Sequence, residues 1–216
     1  MIRHALLVAF ALASSVAVAA AEESKSFRYE KLGETLARVD AAKAYDRLSV
    51  VLQVADASGA IKPSDIVFTI EAAAGTIIVT PEADGRVALP YSAELAAENP
   101  MMRASVPAGT GLSLELSVDA RLADPQNFTY AELAEVAAQF DALIEAEAGM
   151  MSLFAPSMTG VSVACGADCS AQIDGGETLH PGENGEIPIP LDDGRAASGT
   201  VIALSHAPSR VKIEAE

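Results

Sequence analysis

The chain repeats itself once, about a hundred residues apart. Ser26-Phe27-Arg28-Tyr29-Glu30-Lys31-Leu32-Gly33-Glu34 returns as Asn127-Phe128-Thr129-Tyr130-Ala131-Glu132-Leu133-Ala134-Glu135, and the echo continues through Ala37 and Ala138 to Asp40 and Asp141. Six of fifteen aligned positions are identical, more than chance supplies. Further on, Pro81-Glu82-Ala83-Asp84-Gly85 corresponds to Pro181-Gly182-Glu183-Asn184-Gly185, and Val87-Ala88-Leu89-Pro90-Tyr91 to Ile187-Pro188-Ile189-Pro190-Leu191. Solenoid repeats have periods of roughly 20 to 50 residues. This longer period predicts tandem duplication of a domain-sized unit. The first unit is expected over residues 22–119, a linker over 120–126 and the second unit over 127–216.

Each copy opens with a helical pattern. Thr129-Tyr130-Ala131-Glu132 is a capping-box signature, and Leu133, Val136, Phe140, Leu143 and Ile144 follow at helical spacing. Leu32, Leu36 and Val39 form the matching stripe in the first copy. The period then changes to two. Leu48, Val50, Leu52 and Val54 alternate with polar neighbours, as do Leu112, Leu114, Leu116 and Val118, which predicts strands with one buried face. Further strands are expected at 66–70, 76–80 and 86–89, and in the second copy at 160–164, 169–173, 186–189, 201–205 and 210–215. Asp84-Gly85 and Asn184-Gly185 read as hairpin turns, because both dipeptides tolerate positive φ. The expected class is α+β: in each unit, one N-terminal amphipathic helix packed on an antiparallel β-sheet. Trp is absent and aromatics make up 5% of the chain, so the cores must rest on aliphatic residues.

Residues 1–21 carry Arg3 and His4, an apolar run from Ala5, and small residues through Ala21. This is the pattern of a secretory signal peptide, too short in its apolar run for the ~20 residues of a membrane span. Cleavage near Ala21 is expected, giving a periplasmic or secreted protein with no membrane span in the mature chain. The formal charge of the whole chain is −16. Phosphate binding requires clustered Lys and Arg, so nucleic acid is excluded as an expected partner.

Cys165 and Cys169 are the two cysteines. Export would place them in an oxidising compartment, so the Cys-Gly-Ala-Asp-Cys segment predicts a disulfide across a turn. A Cu(I) site is the alternative, with Met150, Met151, Met158, Cys165, Cys169 and His180 as soft or imidazole ligands, although no fixed ligand spacing supports it. His180 and His206 lack any recognisable catalytic motif. Glu71 and Asp174 hold matching places after Ile70 and Ile173, the one carboxylate pair that the repeat itself suggests. No glycine-rich phosphate loop precedes a helix, so no cofactor is expected. The functional expectation is a non-enzymatic binding or structural module of the bacterial cell envelope, acting on an envelope or protein partner. A Cu(I)-binding protein and a hydrolase with a carboxylate site are the alternatives.

Overall fold

A computed structural model of the chain describes residues 24–56, 59–106, 110–148 and 156–216. The expectations for residues 1–21, Met150 and Met151 lie outside these residues. The first half runs β1 (Ser24–Arg28), α1 (Glu30–Ala41), a 3-10 turn (Ala42–Ala44), β2 (Leu48–Asp56), a second 3-10 turn (Pro63–Asp65), β3 (Val67–Ala72), β4 (Gly75–Val79), β5 (Arg86–Val87), α2 (Ala93–Glu98), β6 (Met101–Ser105) and β7 (Leu112–Ala120). The second runs β8 (Asn127–Thr129), α3 (Tyr130–Ala148), β9 (Met158–Ala164), β10 (Ala171–Ile173), β11 (Glu177–Leu179), β12 (Glu186–Pro190), α4 (Asp193–Ser198), β13 (Val201–Leu204) and β14 (Arg210–Ala215). The protein is mixed α+β, and every strand pairing is antiparallel.

Among the described residues the strands form three sheets, ordered β1-β6-β3-β4, β11-β10-β13-β8 and β12-β9-β14-β7-β2-β5. Phe27, Met102 and Ile70 share a rung in the first, and Phe128, Ile202 and Ile173 share the corresponding rung in the second. The six-stranded sheet takes β5, β2 and β7 from one half and β12, β9 and β14 from the other. The two sets meet where Lys212 of β14 faces Asp119 of β7.

Because successive side chains alternate across a sheet, the register sorts the six strands into two faces. One carries Leu52, Val54 and Val87 together with Val161, Val163, Ile187, Val211 and Ile213, all buried. Two hydrophobic clusters lie on it. One joins these residues of the first half to Tyr29, Leu36, Phe68 and Met102; the other packs Leu133, Val136 and Phe140 of α3 onto β9 and β12. The second cluster also takes in Ala42, Leu48 and Leu122, so the cores do not divide where the sequence halves do. The opposite face is polar, with Ser49, Gln53, Ser117, Asp119, Arg210 and Lys212, the usual arrangement for an antiparallel sheet with one wet side.

Three expectations need correction. The helices are each preceded by a short strand, β1 and β8, whose three to five residues are too few for a period to register. Asp84-Gly85 and Asn184-Gly185 do form tight turns, with Glu82 N–H donating to Arg86 O at 2.8 Å and Gly182 N–H to Glu186 O at 2.8 Å. They do not join hairpin partners, however. β4 and β5 belong to different sheets, as do β11 and β12. The apolar side of β7 is not buried either: Leu112, Leu114 and Val118 are half-buried and Leu116 is 46% exposed.

Candidate functional site

The two long helices cover the sheet unequally. In α3, the capping box forms as the sequence suggests: Thr129 N–H donates to Glu132 Oε2 at 2.9 Å and Glu132 N–H donates to Thr129 Oγ1 at 3.1 Å. The helix then runs 19 residues and buries Leu133, Val136, Phe140 and Leu143. Helix α1 runs 12 residues and buries Leu36 alone, while Leu32 and Val39 are half-buried. It stops where the next segment is taken up by α3. Arg47 N–H donates to Gln139 Oε1 at 2.9 Å, the Arg47 guanidinium meets Glu135 at 2.6 Å, and Gln139 Nε2 donates to Asp46 Oδ1 at 2.6 Å.

The shorter helix leaves a groove. A cavity of about 490 Å³ lies between α1, β2 and the segment around β5. Leu36 and Val39 line it from α1, Val50, Val51 and Leu52 from β2, and Val87, Leu89, Pro90 and Tyr91 from the third side. Its volume and mostly apolar lining suit a ligand site. Charged groups stand at its edge, each already paired: Lys43 with Asp40 at 2.6 Å, and Arg86 with Glu82 at 3.0 Å and Asp84 at 2.7 Å. Behind the lining, the buried Tyr29 donates its hydroxyl to O of the groove residue Pro90 at 2.7 Å. Burial pushes its phenol above the ordinary tyrosine range, and neighbouring Tyr91 adds to the shift.

A second cavity, about 250 Å³, lies on the polar face beside the seam, lined by Ser49, Arg86, Asp119, Arg121 and Arg210 among others. Arg210 Nε donates to Asp119 Oδ1 at 2.8 Å and its Nη2 to Ser117 Oγ at 2.6 Å. Burial raises the Asp119 carboxyl above its ordinary value, outweighing the opposing pull of Arg210. This pair is a satisfied bridge between the halves.

The residues singled out in the sequence do not converge. Cys165 and Cys169 form a disulfide with Cα atoms 5.7 Å apart, so neither sulfur is a thiolate ligand in this structure. Met158 is buried in the second core and His180 is exposed. Among the described residues, no group of three or more His, Cys, Asp and Glu side chains could hold a metal ion. Glu71 pairs with Arg103 at 2.9 Å, and Asp174 Oδ1 accepts the Val201 amide at 3.0 Å in the other half. The exposed His206 has its Nδ1 3.0 Å from Ser205 Oγ, and no ion pair with a carboxylate is formed by it among the described residues. Of the groove residues, Leu36 and Val39 belong to the apolar stripe of α1 and Val50 and Leu52 to the alternating pattern of β2, patterns that read as core. The one available signal was the contrast of Val39 with Phe140 at the same place in the repeat.

A family model described as "Protein of unknown function (DUF2987)" matches residues 20–165, and the chain belongs to that family. The matched span contains every residue that lines the groove. No curated protein and no solved structure matches the chain. Among the described residues, no helix is long and apolar enough to cross a membrane.

Proposed function

We propose that this is an exported, non-enzymatic binding module of the bacterial cell envelope, built from a duplicated α+β unit, with the α1 groove as its binding site. The observation that carries the binding role is the difference between the halves. Phe140 is buried in the second core, whereas Val39 at the matching place of α1 lines the 490 Å³ groove, and the cavity beside α3 in the second half, at about 240 Å³, is half as large.

Support for the duplication is positional. Both halves follow the order strand, helix, four strands, short helix, two strands. Ser92 caps α2 by accepting the Leu95 amide at 3.1 Å, and Asp192 caps α4 by accepting the Arg195 amide at 3.0 Å. Both short helices end in a left-handed residue, Asn99 and Gly199. Tyr29 N–H donates to Pro100 O and Tyr130 N–H to Thr200 O, each at 3.0 Å. Export rests on the signal-peptide pattern of residues 1–21 and on the pairing of the two cysteines.

Titration with the apolar dye 1-anilinonaphthalene-8-sulfonate tests the groove. One dye per chain is expected, with binding lost in Val39→Glu and retained in Ile78→Glu, which alters a residue 68% exposed elsewhere. Equal dye binding by Val39→Glu and the unaltered protein would defeat the assignment. Fractionation with N-terminal sequencing checks export: a periplasmic or secreted chain should begin near Glu22.

A further inference from the structure

Pairing along the outer side of β2 stops after two residues. Leu52 faces Val87 and Gln53 faces Arg86, and the Val54 amide donates to Gly85 O at 2.8 Å. Past Val87 the chain leaves the edge: Leu89 turns into the first core and Pro90 O accepts the Tyr29 hydroxyl. The other half keeps its edge closed. Ile187 faces Val163, Ile189 faces Val161, and the Leu191 amide donates to Thr159 O at 2.9 Å.

Antiparallel geometry fixes which backbone groups are left over. Alternate residues of a strand direct their N–H and C=O to the same side. The Val54 amide points toward β5, and so do the backbone groups of Leu52 and Val50. Leu52 has Val87 opposite it, whereas Val50 has no ladder partner on that side among the described residues. Val50 also lines the groove. The apolar cavity therefore contains a stretch of unpaired sheet edge, and its counterpart in the second half is occupied by a strand.

We propose that the groove takes an extended peptide segment of a partner protein, which adds to β2 at Val50 as an antiparallel strand and continues the short ladder begun by β5. This rests on the α1 groove being the binding site. In strand addition the main-chain hydrogen bonds give affinity and pockets for alternate side chains give specificity. Here the inward side chains are aliphatic, as Ile187 and Ile189 are in β12, and they meet Leu36, Val39 and Leu52. The flanks of the peptide are basic. Both groove cations are neutralised by three carboxylates, and the chain carries −16, so positive flanks meet a complementary field. The opposite edge of the same sheet is closed to such pairing. With Ile187, Ile189 and Leu191 turned toward β9, the outward positions of β12 are Glu186, whose N–H is taken by Asn184 Oδ1 at 3.1 Å, and Pro188 and Pro190, which have no N–H to offer.

The test uses the mature full chain and a fluorescein-labelled peptide, Lys-Glu-Ile-Pro-Ile-Pro-Leu-Lys, copied from β12 with added lysines. Anisotropy should saturate at one peptide per chain. Methylating the two isoleucine amides should weaken binding at least tenfold, and amide hydrogen exchange at Val50 should slow in the complex. Binding indifferent to N-methylation, or no peptide binding by a protein that still takes up the naphthalene dye, would overturn strand addition while leaving the groove as a binding site. Loss of dye and peptide binding together would remove both readings. A free protein that sediments as a dimer, and that the peptide dissociates, would identify a second copy as the occupant and overturn the partner-peptide proposal.

Discussion

Val39 and Phe140 hold the same place in the two helices of the repeat, yet the structure assigns them very different energetic weight. Phe140 is 5% exposed in the second core, whereas Val39 is half-buried and borders the 490 Å³ groove. Truncating Phe140 to Ala removes roughly 150 Å² of buried ring, worth about 4 kcal/mol at about 25 cal/mol per Å². This agrees with the ~3 to 5 kcal/mol typical of buried Phe→Ala changes. Val39→Ala deletes two half-wet carbons beside space that is already empty, so it should cost less than about 1 kcal/mol. Glu145→Ala, on the exposed side of α3, should fall within about 0.5 kcal/mol. With a urea slope of roughly 2 kcal/mol per M, the expected midpoint shifts are about 1.5 to 2.5 M for Phe140→Ala and under about 0.5 M for the other two. The converse change, Val39→Phe, should raise the midpoint modestly and displace the naphthalene dye, since it places in the first helix the ring that fills the second. A loss from Val39→Ala as large as that from Phe140→Ala would mean that the groove is closed in solution and would refute the reasoning.

Replacing both Cys165 and Cys169 by Ser should cost about 2 kcal/mol without abolishing the fold, because the loop they close is short. Elemental analysis of anaerobically purified protein should find no stoichiometric copper; copper that disappears in the double variant would favour the metal reading instead. Since burial raises Asp119, its stabilising contribution is complete below the ordinary value of 3.8 and declines as pH rises through the folded-state value. The unfolding free energy of the wild type minus that of Asp119→Asn should therefore fall between pH 3 and 7, and a rise would show that Arg210 dominates the site. Gly160→Ala would place a Cβ 2.4 Å from Ile189 O and should lower stability by about 1 to 3 kcal/mol, whereas Gly33→Ala, with nothing within 4 Å in mid-helix, should raise it by about 0.5 to 1. Matching melting-temperature shifts for these two variants would contradict the packing described for β9 and β12.

Much of the framework was legible because it is local. Alternation at Leu48 to Val54, the Thr129 to Glu132 capping box and the Cys165–Cys169 pair each depend on a few neighbouring residues. Short pieces were lost. α2 and α4 are six residues each, less than two turns, although Ser92 and Asp192 were available as capping signals. The assignment of consecutive strands to different sheets is non-local and leaves no trace in a period. The groove was the least legible of all. It depends on where a strand leaves its neighbour, and Val87-Ala88-Leu89-Pro90 does so while Ile187-Pro188-Ile189-Pro190 does not.

The seam between β7 and β14 also sets the order in which the sheet can be completed. β7 gains its first neighbour, β2, from earlier in the chain, but its second lies some ninety residues further on. During synthesis the early half therefore waits with a long, partly apolar strand edge bare, the kind of surface that recruits other chains before its own partner arrives. β14 pairs with β9 along its length and meets β7 at one rung, Lys212 facing Asp119, so its arrival joins the two sets of strands. The two sets of strands are thus coupled through the Lys212–Asp119 rung and the Arg210–Asp119 ion pair, so the order in which the halves unfold reports the strength of that one junction.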